Sequence, residues 1–145
     1  AGKPSGAVTA AGAGASSAAV RAAYQKALDI LKDGQYDQAA TAFEGFLKAH
    51  PDSQYSDNAQ YWLAETYYVT RKYSQALAEF QKVLSKYPRS TKVPDAQLKI
   101  GYINYEQQNW TVARQALNTV LKEAPGSTAA QLAQDRLDRM KREGH

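Results

Sequence analysis

The sequence has no cysteine, a single methionine and two histidines among its 145 residues. Without cysteine it can form no disulfide, thiol nucleophile or thiolate metal site. His50 stands beside a proline and His145 is the last residue, and neither has an acid or nucleophile pattern around it. We therefore expect both imidazoles to be exposed to solvent, with no catalytic or metal-binding role.

Long apolar runs and catalytic motifs are also missing. No run approaches the roughly 20 apolar residues that a membrane-spanning helix needs. There is no HExxH pair and no GxxxxGK loop, and the GAGA run over residues 12–15 lacks the flanking strand and helix of a dinucleotide site. The acidic residues are scattered at helical spacing rather than paired for acid and base catalysis. The sequence predicts a protein that is not an enzyme, has no cofactor and does not insert directly into a membrane.

Basic residues outnumber acidic ones, giving a formal charge of +4. This excess is spread along the chain, whereas a nucleic-acid-binding protein usually concentrates lysine and arginine on one face. We predict no nucleic-acid partner.

The chain repeats itself with a period of 37 residues. Pro51, Pro88 and Pro125 stand 37 residues apart, and each is followed two positions later by a serine. Three copies of one unit are therefore present. The other matching sets are Tyr24, Tyr61 and Leu98; Ala27, Ala64 and Gly101; Leu31, Tyr68 and Tyr105; Tyr36, Tyr73 and Trp110; Ala39, Ala76 and Ala113; Phe43, Phe80 and Leu117; and Leu47, Leu84 and Leu121.

Each copy is predicted to form a hairpin of two helices. A turn signal interrupts the copy midway, and apolar residues then recur at i, i+4, i+7 and i+8, as on one buried helix face. Asp37, Ser74 and Thr111 follow the turns, and we predict that they cap the second helices. Proline lacks an N–H and clashes with the preceding turn, so it should end each second helix.

The period also predicts how the chain is divided. Residues 1–18 contain seven Ala, four Gly and three Ser, which suggests a flexible tether. A helical repeat domain should occupy residues 19–142, with repeats at about 20–54, 57–91 and 94–127. Residues 128–142 lack a second helix, and their many charged residues suit the polar outer surface of a capping helix.

Hairpins with a small residue in each helix, an aromatic in the second helix and a closing proline resemble the tetratricopeptide repeat. The second copy carries the pattern at Leu63, Ala64, Tyr67, Ala76, Phe80 and Pro88. It departs from the usual repeat by three extra residues between hairpins. The resemblance implies an all-α fold, a right-handed superhelical stack of three tetratricopeptide-like hairpins with a C-terminal capping helix.

The 37-residue variant is more specific. Its Pro-x-Ser break, the segments AQYWLAETYY and AQLKIGYINY, and the preceding Ala/Gly-rich stretch resemble the C-terminal domain of the periplasmic Tol-Pal system protein family, also called the cell division coordinator CpoB family. The resemblance implies a periplasmic adaptor that binds TolA and modulates a peptidoglycan synthase, coupling wall synthesis to outer-membrane constriction in cell division. In that family a signal peptide and a trimerising coiled coil precede the repeats, so a trimer is expected only through such a coiled coil.

The resemblance also implies that the first helices line a groove for a protein partner. Tyrosine suits such a groove because it offers a large contact area at low entropic cost and keeps a hydroxyl. Some of these rings are alternatively explained as packing between neighbouring hairpins. Few Lys, Arg and Asn residues occupy the positions that would clamp a C-terminal carboxylate, so we expect no such ligand. The predicted groove residues are Tyr24, Leu28, Leu31, Asn58, Tyr61, Glu65, Tyr68, Leu98, Tyr102 and Tyr105.

Two other functions remain open at this point. The chain also fits a tetratricopeptide scaffold of another envelope assembly, such as the lipoprotein of the outer-membrane barrel assembly machine. It fits equally a structural repeat domain whose groove is filled by a second copy.

Overall fold

The computed structural model describes the backbone of residues 5–145 and the side chains of residues 17–145. This part of the chain consists of helices joined by short connections, with no strand. The helices are α1 (Ser5–Lys32), α2 (Tyr36–Ala49), α3 (Ser56–Val69), α4 (Tyr73–Lys86), α5 (Val93–Glu106), α6 (Trp110–Glu123) and α7 (Thr128–Arg142). The predicted all-α class is confirmed.

The chain divides into two compact units, Ala1–Ala59 and Gln60–His145. In the first unit, α1 packs against α2. The second unit contains α3 from Gln60 onward and the four helices that follow. There α5 packs against α4, α6 and α7, and α6 packs against α7.

The turn inside each hairpin has the same backbone geometry in all three copies. Gly34, Arg71 and Gln108 adopt positive φ angles of 77°, 62° and 64°. The Gly34 N–H donates to the Leu31 carbonyl (2.9 Å) and the next N–H donates to the Ile30 carbonyl (3.2 Å); Arg71 and Gln108 begin the same pair of bonds. This left-handed turn satisfies the last carbonyls of the first helix. Arg71 and Gln108 adopt it without glycine, at a cost of about 1 kcal/mol each.

The predicted N-caps of the second helices are wrong by two residues. Side chains of Asp37, Ser74 and Thr111 lie inside the first turn, and the cap positions are held by Gln35, Lys72 and Asn109, none of which makes a side-chain cap bond. The left-handed turn leaves only one residue before the second helix. The backbone carbonyl of that residue already accepts the first helical bond, from Ala39, Ala76 or Ala113, at 2.9 Å in each case.

Proline ends the second helices as predicted. The residue before each proline still donates its N–H to the helix, His50 to the Phe46 carbonyl at 2.8 Å for example. Its ψ angle has nevertheless left the helical region, at 70°, 56° and 53° in the three copies. Proline disfavours the helical conformation of the residue before it, which fixes the helix end.

The N-terminal segment differs from the expected tether. Residues 5–18 belong to α1, and residues 1–4 lie outside the described part of the chain. Alanine, the commonest residue of this segment, has the highest helix propensity, and lengthening an existing helix requires no new nucleation. The role of residues 1–18 as a tether stays a prediction.

Small residues set the helix spacing in the second unit. Ala64 and Ala76 are completely buried, as is Ala113 beside Gly101. A Cβ atom added at Gly101 would lie 2.6 Å from Cδ2 of Leu117. A side chain at position 101 would therefore overlap the Leu117 side chain of α6, consistent with the predicted role of the small residues in close helix packing.

The last helix closes the core of the second unit. The N-cap of α7 is Ser127, whose hydroxyl accepts the Ala130 N–H at 3.0 Å. Met140 is buried, and α7 contributes it to a cluster with residues of α5 and α6. The members of this cluster are Leu98, Ala113, Leu117, Val120, Ala129, Ala130, Ala133 and Met140.

Candidate protein-interaction face

The first helices of the second unit, α3, α5 and α7, lie next to one another. Lys99 of α5 reaches Glu65 of α3, with 3.1 Å between Nζ and Oε2, and α5 packs against α7. We call their shared surface the first-helix face. It comprises Glu65 and Tyr68 of α3, Lys99, Tyr102 and Tyr105 of α5, and Arg136 and Arg139 of α7.

The tyrosines of α3 and of α5 are each contacted by a cation from the next first helix. The Lys99 Nζ lies 4.5 Å from the centre of the Tyr68 ring. The Arg136 guanidinium carbon lies 4.0 Å from the Tyr102 ring centre and 4.7 Å from that of Tyr105. Contacts of this kind contribute from about 0.5 to 2 kcal/mol, depending on exposure.

These contacts repeat with the sequence period. Lys99 and Arg136 are 37 residues apart, as are Glu65 and Tyr102, and Tyr68 and Tyr105. Each cation therefore meets the same two repeat positions of the preceding first helix. Matching side chains form continuous rows from α3 to α7.

Glu65 is only partly satisfied. One carboxylate oxygen pairs with Lys99, while Oε1 is buried and has no hydrogen-bond partner among the described residues. An unpaired buried acceptor is destabilising. Because this oxygen is enclosed, it is not a ready contact for a ligand, and the pairing with Lys99 offsets part of its desolvation.

The far end of the face is closed by the last three residues. The Tyr105 hydroxyl donates to Oε1 of Glu143 (2.5 Å), and Arg139 Nε donates to Oε2 (3.1 Å). These two donors lower the pKa of the Glu143 carboxyl. The His145 ring stacks on Trp110 with 3.6 Å between ring centres. An open cavity of about 520 Å³ lies beside these residues.

Burial raises the pKa of two tyrosine hydroxyls on this face. It raises the pKa of Tyr68 to about 12 and also raises the pKa of Tyr102, where the nearby Arg136 charge opposes the effect. The phenols are neutral at physiological pH in any case, and the raised pKa extends their ability to donate a hydrogen bond into alkaline solution.

Three of the predicted groove residues are core residues in the structure. Tyr24 is 9% exposed and stacks on Tyr55 at 5.0 Å between ring centres. Tyr61 is 8% exposed and packs edge-on against Phe80, and Leu98 is 3% exposed. They leave little surface for a partner, and their role in a groove stays a prediction. Packing between neighbouring elements, the alternative explanation, applies to these three.

The other predicted groove residues are half-buried. Leu28, Leu31 and Asn58 belong to the first unit. Glu65, Tyr68, Tyr102 and Tyr105 belong to the second, where the structure brings them together on the first-helix face. A partner-binding role for all seven stays a prediction.

Sequence reasoning missed the cations of this face. Lys99 and Arg136 occupy the repeat position that holds Gln25 and Trp62 in the earlier copies. Because the residue type changes at this position, comparing copies for similarity passes over it. The signal was the spacing of 31 from Tyr68 to Lys99 and again from Tyr105 to Arg136.

The described part of the chain has neither a candidate membrane span nor a candidate metal site. Within residues 5–145 no helix combines the length and hydropathy needed to cross a membrane. No group of three or more His, Asp or Glu side chains in the described part of the chain is placed to hold a metal ion.

Comparison with known families defines the class of protein. A tetratricopeptide repeat family model matches residues 24–91 and 63–128, which together cover more than half of the chain. The chain belongs to the tetratricopeptide repeat family. Its fold is similar to the first such domain of Spaghetti (RPAP3) bound to an HSP90 peptide, with a TM-score of 0.70, 18% identity, and 86% and 91% of the two chains covered. The fold is also similar to that of the Arabidopsis OM64 tetratricopeptide repeat domain, with a TM-score of 0.68 and 17% identity. The match covers 83% of this chain and 94% of that one.

Within that family the chain is similar to cell division coordinator CpoB. The Pseudomonas putida protein is 50% identical over 42 residues, which are 29% of this chain and 16% of that protein. The Escherichia coli protein is 41% identical over 46 residues, 31% of this chain and 18% of that protein. The matched segments span less than a fifth of either relative.

Proposed function

We propose that this chain is a non-catalytic protein-interaction module of a periplasmic adaptor in the Tol-Pal system. It binds TolA and, with a peptidoglycan synthase as a further partner, helps couple wall synthesis to outer-membrane constriction during cell division. Similarity to cell division coordinator CpoB supports the role in cell division. The observation that carries the binding role is the first-helix face, where half-exposed tyrosines lie in a row.

The face has the composition of a binding surface. Tyr68, Tyr102 and Tyr105 are half-buried and rigidly supported, so ordering them for a partner costs little entropy. Covering three such rings contributes several kcal/mol at about 25 cal/mol per Å² of apolar area, part of which is lost in ordering the partner. A dissociation constant in the micromolar range is expected.

Titration of the chain with the soluble part of TolA tests the proposal. The double variant Tyr68→Ala/Tyr102→Ala should weaken binding at least tenfold, because it removes two of the three rings. Tyr36→Ala is the matched control, since Tyr36 is 40% exposed and lies outside this face. Circular dichroism establishes that the helices are retained. Equal binding by the folded double variant and the control would contradict the proposal.

A second copy of this chain is the alternative occupant of the same face. Sedimentation at micromolar concentration distinguishes a self-associating chain from a monomer that leaves the face open to another protein. We expect a monomer. A dimer that dissociates in the Tyr68→Ala/Tyr102→Ala variant would show instead that a second copy covers the tyrosines.

A further inference from the structure

Arg136 differs from the other two cations of the first-helix face. Lys99 is paired with Glu65, and Arg139 with Glu143. Among the described residues no carboxylate lies within ion-pair distance of Arg136, and its guanidinium rests only on the Tyr102 and Tyr105 rings. The face thus carries one charge that the rest of the unit does not neutralise.

The two rings attract the guanidinium through its positive charge, which needs no N–H bond to an acceptor. The donors of the group therefore stay available to a ligand. A planar fork of donors matches the two oxygens of a carboxylate. The half-exposed Tyr68 and Tyr102 rings provide apolar surface next to it.

We propose that Arg136 receives an Asp or Glu side chain from an internal segment of the partner protein, while an apolar side chain beside that acid packs on the tyrosines. This inference rests on the proposed function and specifies the partner's chemistry. A side-chain carboxylate is favoured over a chain-terminal one, because terminal carboxylates are captured by several converging donors. The nearest asparagine of α5, Asn104, is buried and donates to the Ile100 carbonyl instead.

The test uses three short peptides and the intact chain, observed by nuclear magnetic resonance. The first is acetyl-Ala-Leu-Glu-Phe-Ala-amide, which has one internal carboxylate. The second replaces Glu with Gln and has none. The third is the Gln peptide with a free C-terminal carboxylate. We expect the Glu peptide to shift the Arg136 side-chain and Tyr102 resonances and to bind about fivefold more tightly than either Gln peptide.

A double-mutant cycle assigns the effect to Arg136. In Arg136→Gln the preference for the Glu peptide should disappear, whereas Arg142→Gln should keep it. Arg142 is the matched control, being an exposed arginine in the last turn of the same helix. High salt should reduce the preference in the unmodified chain, as expected for an exposed ion pair.

The outcomes separate this inference from the proposed function. If all three peptides bind equally and shift the tyrosines, the carboxylate assignment is wrong and the protein-binding face stands. A preference for the third peptide over the first overturns the internal-acid assignment. Absence of binding by every peptide also contradicts the inference, while the TolA titration decides the proposed function independently.

Discussion

At the scale of single residues, helix spacing depends on side-chain size at one repeat position. This position holds Ala27 and Ala64 in the first two copies and Gly101 in the third. In the third copy this position lies against the Leu117 side chain, which leaves too little room for an added Cβ atom. The third hairpin therefore favours glycine where the others have alanine.

Replacing Gly101 with alanine should destabilise the chain by about 1 kcal/mol. The new Cβ would lie 2.6 Å and 2.8 Å from Cδ2 and Cγ of the completely buried Leu117. The overpacking cost of about 1–3 kcal/mol exceeds the gain of about 1 kcal/mol in helix propensity. Urea unfolding measures the change.

Gly45→Ala is the control for this substitution. Gly45 lies within α2, is exposed, and has no atom within 4 Å of an added Cβ. It should therefore be stabilising by about 1 kcal/mol. In a Leu117→Ala background Gly101→Ala should stabilise too. Stabilisation by Gly101→Ala in the unmodified chain would contradict the close-packing argument.

At the scale of helices, the sequence predicted lengths and stops better than starts. Proline acts through its own ring and its effect on the preceding residue, so Pro51, Pro88 and Pro125 could be interpreted without knowing the packing. The starts depend on the left-handed turns, and two of these turns are made by Arg71 and Gln108 rather than glycine. The turn signals show where each copy is interrupted, but not that the turn leaves a single residue before the second helix, so the predicted caps lie two residues late.

The depth at which each predicted groove residue lies could not be predicted from the sequence, for a related reason. Helical spacing shows which residues share a face, but not how deeply a neighbouring helix covers it. Tyr61 and Tyr68 are both on α3, yet one is buried against Phe80 and the other is half-exposed. The covering cations come from the following repeat, which a single-helix pattern does not show.

Capping should matter at α7 and not at α4. Ser127→Ala removes the hydroxyl that accepts the Ala130 N–H and should destabilise the chain by about 1 kcal/mol. Ser74→Ala is the control: this exposed serine lies inside the first turn of α4, so its loss should change stability by less than about 0.5 kcal/mol. Equal effects in thermal unfolding would show that the hydroxyl bond at α7 contributes nothing specific.

At the scale of the whole molecule, α7 is part of the core of its unit as well as its solvent-facing end. Met140 is 1% exposed, whereas Leu132 on the same helix is 42% exposed. Met140→Ala should therefore destabilise the chain by about 2–4 kcal/mol through lost burial and a cavity, and Leu132→Ala by less than about 0.5 kcal/mol. Chemical denaturation of both variants makes the comparison. A small effect at Met140 would mean that α7 is only loosely attached.

Stability should fall in alkaline solution because of the tyrosines of the first-helix face. The folded chain raises the pKa of Tyr68 from 10.0 to about 12, chiefly by burial, and burial raises that of Tyr61 as well. Below pH 10 the ring is protonated in both the folded and unfolded states. Between pH 10 and 12 only the unfolded state loses the proton, so the free energy of unfolding decreases, by about 1 kcal/mol for the half-exposed Tyr68.

Tyr68→Phe isolates this contribution from the titration of neighbouring lysines. The variant keeps the ring beneath Lys99 but has no hydroxyl to ionise, so its stability should decrease less steeply from pH 10 to 12. Near pH 8, where the Tyr68 hydroxyl is protonated in both states, the difference in free energy of unfolding between the two proteins should be independent of pH. Urea unfolding at a series of pH values, with phenolate absorbance at 295 nm recorded in parallel, measures both quantities. If the two proteins lose stability in parallel above pH 10, the Tyr68 hydroxyl is no more enclosed in the folded chain than in the unfolded one. The face that we propose for partner binding would then be more open than its geometry indicates.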